Sequence, residues 1–371
     1  MIGGFLGAGK TTLLGQIASR YAAQGKRVGL ITNDQAADLV DTAHLRSLGF
    51  TVGEVSGACF CCSFDHLIET ADSLGGQNVP DLLLAEPVGS CTDLVATVVL
   101  PMQQQLGERF RVSPFGVLLK PSHGQRILAA DEGKRSGFSP QAEYIFRKQL
   151  EEADYLMIGR SDQLSSEQIQ LLRERLSIAA PGVPVLAISP RTGEGVDQVI
   201  EMIQSDTLPG GRLLDIDYDV YADGEAELGW VNLAATLDLE SEIDPDEMVQ
   251  ELLRRMAAVI ATSAGNPGET GPPEIAHLKA SVRGDDVQAV ANVVDSSGGV
   301  DVGLLAGRPV GGSIQLLVNA RVAMDPSELE NIIRQQVDAW VTTHAARCEN
   351  LHANALRPGR PTPTHRVTVK G

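Results

Sequence analysis

The feature that most constrains this chain is a match to the pattern G-x-x-x-x-G-K-[ST], which residues 4–11 provide with the letters GFLGAGKT. Closely spaced glycines let backbone N–H groups curl around phosphate oxygens at the start of a helix, and an amphipathic pattern follows at once. The pattern predicts a nucleoside-triphosphate site in an α/β domain; a glycine-rich turn with an incidental lysine is the alternative. The predicted contacts are Gly4, Gly7, Ala8, Gly9, Lys10, Thr11 and Thr12, with Lys10 on the outer phosphates and the Thr11 hydroxyl on Mg²⁺.

A loop of this kind normally follows a buried strand, yet only Met1 and Ile2 precede Gly3. We expect the natural start of the protein to lie upstream of Met1. The alternative is a domain that folds without most of its first strand and is destabilised as a result.

A second nucleotide element is predicted at the end of an apolar strand, in residues 80–89 (PDLLLAEPVG). Glu86 ends this strand, where a carboxylate can hold Mg²⁺ through water and contribute to catalysis. Gly89 follows three residues later, and its backbone N–H is predicted to sense the γ-phosphate. A surface glutamate before a proline turn is the alternative interpretation.

Base recognition is predicted near the end of the same domain. Asp162 follows a predicted strand at the position where GTPases carry N-K-x-D, and Ser189 begins a loop, SPRTGEG, that resembles the S-A-K-T-G-E-G loop of a guanine pocket. Asp162 can accept hydrogen bonds from guanine N1–H and N2–H. Gly159 and Arg160 stand where Asn and Lys are expected, which leaves the choice between GTP and ATP open, although Arg160 can still stack on the base.

Three of the five cysteines fall within four residues, at Cys59, Cys61 and Cys62. Ordinary packing does not explain this cluster, because adjacent side chains cannot all face one interior, and thiolates favour Zn²⁺, Cu⁺ and similar ions. Neighbouring Cys61 and Cys62 are expected to be strained as joint ligands, so the pattern predicts an incomplete, exchangeable metal site or one completed by a second protomer. Redox chemistry and inert buried thiols are the alternatives. Cys91 and His66 are weaker candidates for a further ligand, with packing favoured for Cys91 and exposure for His66.

The chain has 371 residues, with 30 Lys plus Arg against 48 Asp plus Glu, and a formal charge of −18. This acidic excess argues against binding to nucleic acid or to anionic membranes. Thirteen of the acidic residues lie between 213 and 253, a stretch without Lys or Arg. No apolar run is long enough to span a bilayer and no export signal is visible. An odd number of cysteines is typical of a reducing compartment, so we expect a cytoplasmic protein.

Strand and helix patterns alternate over residues 1–207, which predicts a doubly wound α/β domain with a mainly parallel sheet. An acidic linker is predicted at 208–227, where a Pro-Gly-Gly segment interrupts the pattern. A smaller α+β domain, with its strands grouped and a long helix from Pro326, is predicted at 228–352. Residues 353–371 are predicted to form a flexible, basic, proline-rich tail.

The predicted last helix carries a weaker candidate for a second metal face. His344, Cys348 and His352 are spaced four residues apart, so on a helix they would share one stripe. Such stripes also arise by chance, and a solvated helix surface is the favoured alternative.

The residues that identify a family are the phosphate loop, extended to Gly3–Leu14, and the C-x-C-C segment Gly57–Cys62. Together they resemble the CobW branch of the metallochaperone P-loop GTPases, which also include HypB and UreG. In that family a segment of the type N-E-F-G-E-x-G-I-D forms switch I, and residues 33–41 read NDQAADLVD here. The resemblance implies that Asp34 positions water for catalysis and that Asp41 contributes to the Mg²⁺ site.

The resemblance also implies a P-loop fold and a function. The expected protein binds and hydrolyses GTP, and it delivers Zn²⁺ or Co²⁺ to a client metalloprotein or to a cobalamin-type cofactor pathway. Its expected catalytic residues are Lys10, Asp34 and Glu86, and its cargo ion is expected on the three clustered cysteines. Slow turnover is expected because no catalytic Gln or arginine finger can be identified. A nucleotide-dependent homodimer is the expected assembly.

Two alternatives from other classes remain open at the level of sequence. The first is a P-loop ATPase or kinase with relaxed base specificity, which Gly159 and Arg160 permit. The second is a non-hydrolysing metal-binding or storage protein. Calorimetry with GTP and ATP tests the first, and phosphate release with and without Zn²⁺ tests the second.

Overall fold

The structure, a computed structural model, describes residues 1–33, 40–75, 79–107, 109–129, 136, 138–266, 272–293 and 298–368. The chain folds into two compact units. The first comprises Met1–Gln35, Leu48–Gly224 and Arg360–Gly371, and the second comprises Ala36–Ser47 and Glu225–Gly359. Within the described ranges, no helix is both long and apolar enough to cross a membrane.

Strands and helices alternate through the first unit, as the sequence predicts. The strands are β1 (Ile2–Gly3), β2 (Val28–Asn33), β3 (Thr51–Val55), β4 (Leu82–Glu86), β5 (Gly116–Leu119), β6 (Tyr155–Ile158) and β7 (Val185–Ala187). The helices of this part of the chain are α1 (Lys10–Ala23), α2 (Val40–Ser47), α3 (Phe64–Gly75), α4 (Leu100–Leu106), α5 (Pro121–Leu128), α6 (Pro140–Glu152), α7 (Ser166–Ala179), α8 (Val196–Gln204) and α9 (Tyr218–Ala226). Helix α2 belongs to the second unit. A π-helical turn, Val95–Val99, leads into α4.

The described strand pairs of the first unit are all parallel. They form one sheet of order β1–β5–β6–β7 and another of order β3–β2–β4, and β1 lies beside β4. Strands β5 and β6 are buried along their whole length, which is why their sequences are continuous apolar runs. The predicted parallel α/β fold is confirmed. Loops that leave the carboxyl ends of parallel strands meet at one edge, and here that edge receives the phosphate loop, the cysteines and Glu86.

The second unit is an antiparallel sheet of order β11–β10–β9–β12–β8–β13 with two described helices in addition to α2, which confirms the predicted smaller α+β domain. Its elements are β8 (Gly229–Ile243), α10 (Pro245–Ile260), β9 (Ile275–Gly284), β10 (Val287–Val293), β11 (Val300–Leu304), β12 (Val310–Val322), α11 (Pro326–Thr343) and β13 (Arg347–Leu356). Buried residues of both helices share one core with the sheet. Asp244 and Asp325 cap α10 and α11 by accepting hydrogen bonds from backbone N–H groups. Some of the acidic residues of this unit therefore serve as helix caps.

The predicted stripe of His344, Cys348 and His352 is wrong, because the last helix ends earlier than expected. Helix α11 stops at Thr343, and Ala345 then takes a left-handed φ of 50°. His344 stacks on the Trp340 ring, whereas Cys348 and His352 lie in strand β13 and pair with β8.

Two further boundaries differ from the sequence prediction. Strand β13 includes residues 353–356, which the sequence assigned to the tail, and helix α9 lies within the predicted linker. Strand β13 is an edge strand that is exposed over its first half, so its alternation is weak and its pairing with β8 specifies it.

Candidate functional site

The phosphate loop connects β1 to α1 through glycines in conformations that other residues rarely adopt. The φ angle is +135° at Gly4, +71° at Gly7 and +99° at Gly9, and α1 begins at Lys10. A Cβ atom on Gly4 would lie 2.0 Å from the carbonyl oxygen of Leu118, so this close approach to β5 requires glycine. The loop ends at a helix N-terminus, where free N–H groups and the helix dipole favour phosphate.

Lys10, Thr11 and Glu86 come together from α1 and from the end of β4. The Thr11 hydroxyl lies 2.9 and 3.1 Å from the two Glu86 carboxylate oxygens, and Lys10 Nζ lies 3.8 Å from Glu86 Oε1. Lys10 also donates to the Gly4 carbonyl at 2.9 Å. Mg²⁺ prefers oxygen ligands such as this hydroxyl and this carboxylate, so the residues fit the ion.

Gly89 lies directly against the phosphate loop. A Cβ atom at this position would lie 2.7 Å from the Leu6 side chain and 3.0 Å from the Leu6 backbone nitrogen, so a larger residue would push the two loops apart. The buried Gln149 side chain donates to the carbonyl oxygens of Gly89 and Cys91, each at 2.9 Å. The loop after β4 is therefore fixed from both sides, at the place where a γ-phosphate sensor is predicted.

Of the two residues predicted for switch I, the structure describes Asp41. Asp34 lies outside the described residues. Asp41 lies on α2 in the second unit, where both its carboxylate oxygens accept from Lys279 Nζ at 2.6 and 2.7 Å.

Thr12, predicted to contact phosphate, is exposed on α1.

The predicted base-recognition residues Asp162 and Ser189 lie together. A hydrogen bond from Ser189 and a second from Arg191, at 2.6 Å, hold the pKa of the Asp162 carboxyl below its usual range, so Asp162 is an anion that can accept from a base. At Gly159, an added Cβ atom would lie 3.2 Å from the Leu119 carbonyl oxygen and 3.3 Å from the Ala8 carbonyl oxygen. The backbone here leaves little room for the asparagine that GTPases carry at this position.

The sulfur atoms of Cys59, Cys61 and Cys62 form a tight triangle. Cys59 Sγ lies 3.0 Å from Cys61 Sγ and 3.3 Å from Cys62 Sγ, and the adjacent pair Cys61 and Cys62 lies 3.7 Å apart. Zn–S bonds of about 2.3 Å in a tetrahedron give sulfur–sulfur edges of about 3.8 Å. The adjacent pair Cys61 and Cys62 already has nearly that spacing.

The pKa values of the three thiols are shifted in different directions. Hydrogen bonds from Cys61 and from Cys62 hold the pKa of Cys59 well below its usual range. Donation to Cys59 raises the pKa of Cys61, and it raises the pKa of Cys62 to about 11. Cys59 therefore supplies the first thiolate. Cys59 and Cys61 are buried and Cys62 is half-buried, which leaves one side of the triangle open to approach.

Asn33 holds the cysteine loop in place, a role that the sequence does not reveal. Its side-chain amide donates to the carbonyl oxygens of Val55 and Ala58 at 2.9 and 2.8 Å, and its oxygen accepts from the Phe60 N–H at 2.9 Å. Asn33 ends β2, so the cysteine loop is fixed to the strand from which switch I departs.

A second contribution that sequence reasoning missed comes from residues 360–368, here named the C-terminal segment. The Thr362 N–H donates to Cys62 Sγ at 3.2 Å, and the Thr364 N–H donates to the Cys61 carbonyl at 3.0 Å. Arg366 pairs with the buried Asp93 carboxylate at 2.7 Å, which also accepts from the Tyr218 hydroxyl at 2.7 Å. The predicted tail therefore packs along the cysteine cluster through these contacts.

Comparisons with known proteins agree with these observations. A family profile for the CobW/HypB/UreG nucleotide-binding domain matches residues 1–187. The chain is 26% identical over 216 residues to the zinc chaperone CobW of Sinorhizobium sp, a match that covers 52% of this chain and 59% of that protein, so the chain spans about three fifths of that relative's length.

Solved structures that are similar to this chain include a YjiA GTPase and a HypB protein. Zn(II)-bound YjiA GTPase from E. coli has a TM-score of 0.36 at 15% identity, covering 90% of this chain and 97% of that chain. HypB from Helicobacter pylori in complex with nickel has a TM-score of 0.38 at 18% identity, covering 56% of this chain and 88% of that chain. Because the family profile covers half of its length and ends within the parallel α/β unit, this chain belongs to the CobW/HypB/UreG family.

Proposed function

We propose that the chain binds and hydrolyses GTP and uses the nucleotide cycle to hold and release Zn²⁺ or Co²⁺ for a client metalloprotein or a cobalamin-type cofactor pathway. The observation that carries this proposal is the loop after β4. It leaves Glu86 beside the phosphate loop, packs Gly89 on Leu6, and contacts the C-terminal segment through Asp93. A single loop thus joins the nucleotide residues to groups that lie against the cysteine cluster.

On the nucleotide side, the loop N–H groups and Lys10 hold the phosphates and stabilise the charge that develops during phosphoryl transfer. Thr11 and Glu86 hold Mg²⁺, which, when bound, neutralises charge on the β- and γ-phosphates. Asp34 is assigned the positioning of water through the family resemblance. A role for Asp41 at Mg²⁺ requires its ion pair with Lys279 to open. We expect slow turnover, because the described site offers no evident arginine finger.

On the metal side, Cys59, Cys61 and Cys62 bind the cargo ion as thiolates. Their triangle is nearly the size of one face of a tetrahedral zinc site, so a small expansion accommodates the ion. Each thiol that ligates gives up its proton to solvent, so binding is tighter at higher pH. The half-buried Cys62 is the side from which a client can take the ion.

An ATP-hydrolysing chaperone is the second candidate, and the crowding at Gly159 favours it. The missing asparagine removes one bond to the base, while Asp162 and Ser189 stay in place for guanine. Calorimetric titration of GTP and ATP decides between the two. We expect GTP to bind more tightly because the ionised Asp162 accepts from guanine N1–H and N2–H, whereas adenine N1 is itself an acceptor.

The coupling is tested by measuring Zn²⁺ affinity in competition with a chromophoric chelator. The full chain is compared in three states: nucleotide-free, with GDP, and with a non-hydrolysable GTP analogue. We expect the GDP and analogue states to differ in affinity, and equal affinities would contradict the coupling. Lys10→Ala is the control, because it should keep the nucleotide-free affinity and lose any response to nucleotide.

The proposed setting is the cytoplasm, and the proposed assembly is a nucleotide-dependent homodimer. Light scattering of the chain with GDP and with the GTP analogue, each with and without Zn²⁺, tests the assembly. A single mass across all four conditions would contradict it.

A further inference from the structure

A fourth cysteine lies beside the triangle of Cys59, Cys61 and Cys62. Cys91 is 1% exposed, and its thiol forms a side-chain hydrogen bond with the thiol of Cys59. It reaches the cluster from a different element, the loop after β4, whereas the other three belong to the loop after β3. Cys59 thus contacts the sulfur atoms of Cys61, Cys62 and Cys91.

We infer that Cys91 is the fourth ligand of the metal site, so that the cargo ion is held by four thiolates from two loops when the site is closed. This inference rests on the proposed function in that it takes the three clustered cysteines as metal ligands. It goes further by naming a ligand outside the C-x-C-C segment, and by predicting that the coordination shell can be opened and closed.

The sulfur triangle has a shape that a four-sulfur site can use. Sulfur–sulfur distances of 3.0 to 3.7 Å already outline one face of a tetrahedron whose ideal edge is about 3.8 Å. The fourth vertex needs one further donor, and Cys91 is a buried thiol that contacts Cys59, one corner of that face. Cys91 lies outside the group of three whose ligand atoms are all within 4.8 Å of one another, so ligation requires this thiol to close in on the ion.

Two described groups near the cluster that could take the fourth position, His365 and Asp93, have contacts of their own. The His365 ring packs on Phe64 with 4.9 Å between ring centroids, and its Nδ1 lies 3.2 Å from the Thr364 hydroxyl. The Asp93 carboxylate is paired with Arg366. The Thr362 N–H is a donor to Cys62 Sγ, which is an interaction that supports a thiolate without replacing a ligand.

The position of Cys91 in the chain connects the fourth ligand to the nucleotide site. It lies two residues after Gly89, whose backbone packs on the phosphate loop, and Gln149 holds the carbonyls of both residues. A shift of Gly89 when the γ-phosphate is bound or lost therefore moves Cys91. The site then changes between four thiolates, which retain the ion, and three, which leave one position open for a client's ligand.

The test compares the full chain with its Cys91→Ser variant, both loaded with one equivalent of Co²⁺ or Zn²⁺. For Co²⁺ we expect sulfur-to-cobalt charge-transfer absorption to fall by about a quarter in the variant, as one thiolate of four is lost. For Zn²⁺ we expect X-ray absorption fine structure to give four sulfur neighbours in the wild-type chain, and three sulfurs with one oxygen or nitrogen in Cys91→Ser. Cys348→Ser, which removes an exposed cysteine of the second unit, is the matched control and should leave both spectra unchanged.

The outcomes separate this inference from the proposed function. Three sulfur neighbours in the wild-type chain in each of the nucleotide-free, GDP-bound and GTP-analogue-bound states, or wild-type spectra in Cys91→Ser in all three states, overturn the fourth ligand while leaving the three-cysteine site intact. The wild-type Zn²⁺ spectrum decides the matter even if the Cys91→Ser variant fails to fold. A wild-type chain that binds neither ion, or whose Cys59→Ser variant binds as the wild type does, overturns the proposed metal function itself.

Discussion

Asp162 is the residue on which the proposed base selection depends most. Ser189 and Arg191 hold its carboxylate ionised, and the position that would normally carry a supporting asparagine is Gly159. We expect Asp162→Ala to weaken GTP binding by roughly 10- to 100-fold, because a hydrogen bond to a charged acceptor contributes about 1.5–3 kcal/mol. ATP binding should change little. Calorimetry with both nucleotides measures the effect, and equal losses for GTP and ATP would show that Asp162 acts on the fold and not on the base.

Glu152 is a buried carboxyl group that the nucleotide and metal sites do not use. Burial raises the pKa of Glu152 to about 8. Hydrogen bonds from the Val95 N–H and the Thr92 hydroxyl stabilise the anion and so act in the opposite direction, but burial is the larger effect. A folded-state pKa above the unfolded one means that the folded chain binds the extra proton. Its contribution to stability is therefore full below about pH 4.5 and is lost as pH rises toward 8.

We expect the free energy of unfolding to fall with pH across that window, by at most about 1.4 kcal/mol per pH unit for this group. Glu152→Gln stays neutral and should remove this slope. Urea denaturation from pH 5 to pH 9 provides the measurement. Glu240→Gln, an exposed strand residue, is the control and should keep the wild-type slope.

Residues differ in how far the sequence reveals their roles. Lys10, Thr11 and the clustered cysteines are predictable because their spacing along the chain carries the chemistry. Asn33 and Arg366 are not, since their partners lie 25 and 273 residues away, a distance over which no local pattern extends. Such contacts form only once the strands and the C-terminal segment are in place.

The C-terminal segment is the element that most changes the interpretation of the site. Arg366 pairs with Asp93, which is 1% exposed, and the same segment donates to Cys62 and Cys61. Removing Arg366 leaves a buried carboxylate without its cation, a change that typically costs 3–5 kcal/mol when no other partner compensates. Here the Tyr218 hydroxyl still donates to Asp93, so we expect the segment to detach before the fold is lost.

We therefore expect Arg366→Ala to accelerate transfer of bound Zn²⁺ to a chelator by roughly tenfold, which corresponds to about 1.4 kcal/mol of lost protection. Stopped-flow absorbance with the loaded chain measures the rate. Arg360→Ala is a matched control from the same segment, because Arg360 and its partner Asp219 are both more than half exposed and such pairs contribute little. Equal rates for Arg366→Ala and wild type would show that the segment does not limit metal release.

Elements with strong local patterns were predictable, and those specified by pairing were not. Buried strands β5 and β6 are continuous apolar runs, and α10 and α11 begin at acidic caps followed by proline, so their positions follow from the sequence. The edge strand β13 has neither signal and depends on its partner β8.

For the chain as a whole, the two compact units do not follow the linear order of the sequence. Residues 36–47 come from the middle of the nucleotide-binding region yet belong to the second unit. Lys279 pairs with Asp41, and the Asn319 side chain accepts from the Val40 N–H at 2.8 Å. The residues of these two pairs are 238 and 279 positions apart in the chain. Domain boundaries predicted from the order of the sequence therefore could not assign residues 36–47 to the second unit.

Coupling between nucleotide and metal is a property of the whole chain, and thermodynamic linkage makes it testable in both directions. If the GTP analogue changes Zn²⁺ affinity by some factor, Zn²⁺ must change affinity for the analogue by the same factor, typically 5- to 150-fold for coupled sites. We expect equal factors in the wild-type chain, measured by calorimetry for the analogue and by chelator competition for Zn²⁺. Gly89→Ala, which forces a Cβ atom against Leu6, should reduce both factors together, while Gly211→Ala, where an added Cβ atom meets nothing within 4 Å, should leave them unchanged. Unchanged, wild-type factors in Gly89→Ala would mean that the loop after β4 is not the connection between the two sites.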